Sequence, residues 1–172
     1  MADLKYMVIQ VETHFDGSAE TMKLWTASDG VVDALTAETR FEKNMGSGID
    51  DAKKNKSILN VALASDGTEV PECNEFYSRV QQGGPDDIIK YYHLMYITKK
   101  DGTADSVDLK VYTNIEAAED AYHTKMGAAL ANSNTKTALT KIYNSHGGSV
   151  KMKYRDLDPE PVPPTPNTEG GE

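Results

Sequence analysis

Four histidines, one cysteine and two adjacent acidic pairs are the side chains of this 172-residue chain best suited to acid–base, nucleophilic or metal chemistry. A metal or proton-relay role asks for imidazoles at helical spacing or beside a carboxylate. His14 and His146 lie near predicted turns, His93 in a predicted strand and His123 in a predicted helix, each on a different element. Structural or surface histidines are therefore expected. His123 follows Tyr122, which makes it the place to look for a general base, but no nucleophile or oxyanion donor can be named beside it. Cys73 stands close to Glu72 and Glu75, whose charges raise a thiol pKa and make a poor nucleophile. A single cysteine also excludes an internal disulfide framework and a thiolate zinc site. Asp50-Asp51 and Asp86-Asp87 lack the alternating ligands of a calcium loop and read as solvated loop charge. Gly46-Ser47-Gly48 follows a predicted helix and lacks the third glycine of a dinucleotide fingerprint, so it reads as a helix terminator. No catalytic residue, metal or cofactor is assigned, and a non-enzyme is expected.

Ligand binding leaves a different trace. Seven of the nine tyrosines, Tyr91, Tyr92, Tyr96, Tyr112, Tyr122, Tyr143 and Tyr154, fall in the second half of the chain. Sheet packing accounts for them. If Tyr92 and Tyr96 shared an exposed face with Lys99, Lys100, Lys151 and Lys153, they would instead form a stacking platform for bases or nucleotides. Tyr92, Tyr96, Lys99, Lys151 and Lys153 are thus the candidate ligand-binding residues. The net charge of −9 argues against a duplex nucleic-acid partner and against an anionic membrane surface. No segment has the roughly 20 apolar residues of a membrane span, and the start of the chain lacks the pattern of a secretory signal. Synthesis and residence in the cytoplasm, at least until something larger carries the protein elsewhere, are the expectation.

The elements that must position these residues come from an internal duplication. Tyr6–Val11 lies over Tyr92–Ile97 at a separation of 86, and Asp16-Gly17 over Asp101-Gly102 at 85. Lys23–Thr26 lies over Lys110–Thr113 and Asp33-Ala34 over Asp120-Ala121, both at 87. Met45-Gly46 matches Met126-Gly127 at 81, and Ser57–Gly67 matches Thr137–Gly147 at 80. The falling separation implies about six extra residues in the first helical region. Each copy reads as β-hairpin, helix, β-hairpin. The Asp-Gly turns mark the first hairpins. Helices are predicted over 31–45 and 115–131, the second opening on a capping box of Thr113 and Glu116. Val150, Met152 and Tyr154 alternate with Lys151, Lys153 and Arg155, one apolar and one basic strand face.

An α+β fold follows, with two tandem modules of one antiparallel sheet and one helix each, related by a pseudo-two-fold. Module 1 spans 1–70, a linker 71–89, module 2 90–155, and an acidic Pro-rich tail 156–172. The tail, with five acidic residues, five prolines and no basic residue, is expected to stay extended and solvated. Residues 1–84 carry 8 basic and 14 acidic side chains, a net −6, while residues 85–155 carry 10 and 8, a net +2. Such modules are suited to head-to-tail association between chains.

The stretch Tyr91–Gly102, with Ala121-Tyr122-His123 and Gly147–Lys151, resembles a group of short uncharacterised proteins of tailed phages of gut bacteria. The resemblance is stronger in the second module than in the first. It implies the hairpin–helix–hairpin fold, a similar acidic Pro-rich end and a setting among structural proteins of the virion. This chain departs from the group by carrying two copies, the first with Ala34-Leu35-Thr36 where the second has Ala121-Tyr122-His123. The function expected is non-catalytic virion decoration or assembly through contacts with itself or other virion proteins, as a homo-oligomer. The alternative is a counter-defence module that holds a nucleotide or other small ligand in a cleft between the repeats.

Overall fold

The computed structural model describes residues 3–50 and 55–159. The first repeat is β1 (Tyr6–His14), β2 (Thr21–Trp25), α1 (Ala34–Asp50), β3 (Asn55–Ala64) and β4 (Glu69–Ser78). The second is β5 (Tyr91–Lys99), β6 (Ser106–Tyr112), α2 (Ile115–Ala131), β7 (Thr135–Asn144) and β8 (Ser149–Asp156). They form two antiparallel sheets of order β2-β1-β3-β4 and β6-β5-β7-β8. The α+β class and the duplicated module are therefore present. No helix among the described residues is long and apolar enough to cross a membrane.

Strand alternation decides how the repeats meet, because successive side chains leave a strand on opposite faces. On β1 and β3, Met7, Ile9, Val11, Leu59, Val61 and Leu63 point away from α1. There they join Tyr92, Leu94, Tyr96, Leu139 and Tyr143 of the second sheet in one buried cluster. Val8, Ile58 and Ala62 point the other way, under Phe41 and Met45 of α1. The layers run helix, sheet, sheet, helix, and each central strand is covered on both faces. Burial against the other copy supplies the core that one small module lacks. The contact is reciprocal. A Cβ at Gly67 would meet Met152 and Leu139, and one at Gly147 would meet Asn74 and Leu59, the equivalent residues of the other repeat.

The ladders correct the sequence alignment. Tyr6 pairs with Ala64 and Tyr91 with Asn144, so the first strands align at 85, not 86. The difference matters because a one-residue slip exchanges the two faces of a strand. Leu24 lies across from Ile9 as Leu109 does from Leu94, again 85, where 87 was expected. The separation falls to 81 at the helix starts, Ala34 and Ile115. It is 80 at β3 and β7, so five residues, not six, are extra in the first copy, one of them between the helix and β3 and the other four earlier. Those four lie before the helix, around the 3-10 turn Ala27–Asp29.

Other boundaries shift for local reasons. Asn114, not Thr113, caps α2, its Oδ1 accepting from the Ala117 N–H at 2.8 Å. Asp33 does the same for Thr36 at 2.8 Å, so α1 starts after Val31. The glycines at 46 and 48 stay inside α1, which continues to Asp50, so they do not end it. β4 runs over 69–78 and so takes up 71–78 of the expected linker, leaving 79–90 as the connector. Asp51 and the tail from 160 onward lie outside the described residues.

Candidate functional site

The five residues proposed from sequence do not form one site. Tyr92 and Tyr96 are 1% and 3% exposed, inside the inter-sheet cluster, and cannot stack on a ligand. Sheet packing therefore accounts for both rings, and the condition for a stacking platform, an exposed face shared with the lysines, is not met. The Tyr96 hydroxyl donates to Asp105 Oδ2, and burial pushes both phenols above their ordinary pKa. Lys151 and Lys153 lie on the outer face of β8, across from Ile142 and Thr140 beside α2. Lys151 Nζ sits 5.3 Å over the Tyr122 ring and 3.4 Å from Glu119. Lys99 ends β5 far along the sheet, at the mouth of a cleft.

Nor do the histidines converge. His14 Nε2 bonds the Thr21 hydroxyl at 2.8 Å. His146 stacks on Phe76 and holds Asp87 Oδ1 at 2.9 Å. Asp87 also accepts from the Gly83 N–H, and these bonds, His146 first, hold its carboxyl below the ordinary range. Asp87 is thus a clamp on the connector and not a solvated charge. His123 is exposed, edge-on to Tyr122 and 3.3 Å from Lys151 Nζ. Cys73 lies buried under α1, and burial followed by Glu38, Glu42 and Glu72 pushes its thiol pKa up.

His93 is the most perturbed imidazole. It is 1% exposed, edge-on to Tyr122, with Nε2 2.7 Å from the Thr140 hydroxyl and Nδ1 without a partner. Burial, then Lys125 and Lys110, lowers its pKa to about 4. The unfolded chain therefore binds a proton more readily than the folded one between the ordinary value of 6.5 and about 4. Stability is full above that window, falls as pH drops through it and stops falling on this account below it. Urea midpoints measured across the window should decline in the wild type and stay flatter in His93→Gln. Parallel curves would assign the decline to other groups.

Two features anticipated only in outline by the sequence take their residues from the pairing of the repeats in space. The first is the outer edge of each sheet. Beside β4 stand exposed Glu38, Glu42, Glu72 and Glu75. At the equivalent edge of the second repeat stand Lys151, Lys153 and Arg155, with Lys153 in the place of Glu75. The second is a pair of clefts where the repeats meet. One, of about 160 Å³, is lined by His14, Glu20, Lys56, Asp86, Asp87 and Lys90 among others. Lys90 pairs there with Glu20, and the connector crosses it. The other, of about 360 Å³, is lined by the equivalent positions of the opposite repeats, including Lys5, Ser65, Lys99, Lys136 and Thr137. A comparison of the two ladders, strand by strand, would have revealed both.

The class these observations define is a two-repeat α+β sandwich with helices outside and sheets back to back. No protein-family model matches the chain, no curated protein matches it, and no solved structure matches it.

Proposed function

We propose that this chain is a non-catalytic accessory or structural component of a phage particle or its assembly, working through protein contacts that include other copies of itself. The observation that carries the reading is the opposite charge of two equivalent sheet edges. β4 and β8 each terminate a sheet, and an edge strand presents unpaired backbone groups to any chain that can lie beside it. The acidic β4 edge of one copy fits the basic β8 edge of the next. A contact between two different surfaces repeats into a ring or filament, and charge complementarity speeds the encounter and sets the register. The phage setting rests on the resemblance of the second repeat. A second reading, capture of a small anion between the repeats, is supported by the lysines of the larger cleft.

Sedimentation at low and high salt tests the contact. Oligomers should form at low salt and dissociate as salt screens the edges. Lys153→Glu with Arg155→Glu should weaken association about tenfold or more, as should Glu72→Lys with Glu75→Lys. Mixing the two reversed proteins should restore it, because each then offers the edge the other lacks. A monomer at every concentration that also fails to join particles would sink the proposal.

A further inference from the structure

We infer that the larger cleft between the repeats is a binding site for a phosphate group, free or esterified, held by Lys5, Lys99 and Lys136. The three ammonium groups come from separate segments: the lead-in to β1, the end of β5 and the start of β7. Among the described residues none of them forms an ion pair. They line one cleft together with the carboxylates of Asp3 and Asp105, and a tetrahedral anion can offer each ammonium an oxygen that no protein carboxylate supplies at ion-pair distance.

The equivalent cleft at the other end shows how the same fold resolves this charge internally. Lys136 corresponds to Lys56, which lies near Asp87, and Lys5 corresponds to Lys90, which pairs with Glu20. Lys99 replaces His14, adding a cation. The counterpart of Glu20 is Asp105, and it accepts the buried Tyr96 hydroxyl instead of pairing with Lys5. Asp101, which bears on Lys99, is tied into the hairpin turn by Thr103 and Asn134. Asp3 lines the cleft too and is exposed. The larger cleft has over twice the volume of the smaller one, within the range of about 300–1,000 Å³ usual for small-molecule sites. Its wall also carries a hydroxyl able to donate. The Ser65 Oγ accepts the Lys5 N–H through its lone pair, which leaves its own proton to donate. The Thr98 and Thr137 hydroxyls are instead bonded to each other, Thr98 also accepting the Thr137 N–H and Thr137 bonding Tyr154.

The site does not rest on the assembly reading, since the edge variants leave these lysines untouched. Calorimetric titration of the full chain with inorganic phosphate and with adenosine monophosphate, in phosphate-free buffer at low salt, tests it. Saturable binding of one equivalent is expected. Lys5→Ala, Lys99→Ala or Lys136→Ala should each weaken it about tenfold, and Lys136→Arg should largely keep it. Lys56→Ala, in the other cleft, should leave it unchanged. Equal affinity for the two probes would assign a free-anion site, and tighter binding of the nucleotide an esterified one. No saturable heat with either probe, or binding that survives loss of all three lysines, would overturn the inference.

Discussion

Gly147→Ala is expected to destabilise the protein by about 3–4 kcal/mol, because this turn glycine is buried against the other repeat. Its φ of +88° is a conformation that costs an L-residue about 1–2 kcal/mol. A Cβ there would also lie 2.5 Å from Asn74 Oδ1 and 2.9 Å from Leu59 Cδ1. Neither neighbour retreats easily. Asn74 is held by Gly147 O at 2.9 Å and by both Glu69 oxygens at 3.2 Å, and Leu59 is in the inter-sheet core. Forced overpacking of this kind costs about 1–3 kcal/mol. Gly102→Ala is the control, since Gly102 has a similar φ of +72° with nothing near its Cβ, and it should lose only about 1–2 kcal/mol. Gly67→Ala should fall between, because one of its obstructions is the flexible, half-exposed Met152. Urea denaturation ranks the three. Equal losses would mean that strain in the turn, not contact between the repeats, sets the cost.

How far the sequence could be read follows from the same turn. Asp16-Gly17, Asp101-Gly102 and the two later glycine turns fix where strands end through local chemistry, so the hairpins, both helices and the duplication were legible. The helix of the second copy needed only its own apolar spacing. What local chemistry does not encode is which face of a strand meets which partner. Tyr92 and Tyr96 look alike whether they face solvent or another sheet. Of the lysines of the larger cleft, Lys99 and Lys136 lie 94 and 131 residues after Lys5 in the sequence. Their convergence depends on sheet-on-sheet packing, which no spacing rule reports.

Glu69→Ala should cost about 3 kcal/mol, whereas Lys141→Met should be close to neutral. The sequence places Lys141 where the first repeat has Val61, on the face turned toward the other sheet. Its side chain is 4% exposed, with Nζ 3.0 Å from Gly67 O, 3.3 Å from Glu69 Oε1 and 4.7 Å over the Tyr143 ring. The Tyr143 hydroxyl donates to the same carboxylate oxygen at 3.0 Å, and burial with the nearby Glu69 charge pushes its pKa up. Glu69 thus gathers a lysine and a tyrosine across the joint between the repeats, and Asn74 of its own strand. Removing it leaves a buried ammonium with Gly67 O but no counter-charge and takes the acceptor of a buried hydroxyl, and breaking such a pair costs about 3–5 kcal/mol. The lower figure applies because Glu69 is 32% exposed and water can replace part of it. Removing the lysine instead takes away the costly charge and leaves Glu69 its tyrosine, its asparagine and solvent, and an apolar side chain of similar length suits a wall made of Leu, Ile and Val. A double-mutant cycle at neutral pH should therefore show Glu69→Ala costing much less in the Lys141→Met background than alone. If Lys141→Met costs as much as Glu69→Ala, the lysine stem's packing and not the charge pair holds the repeats together.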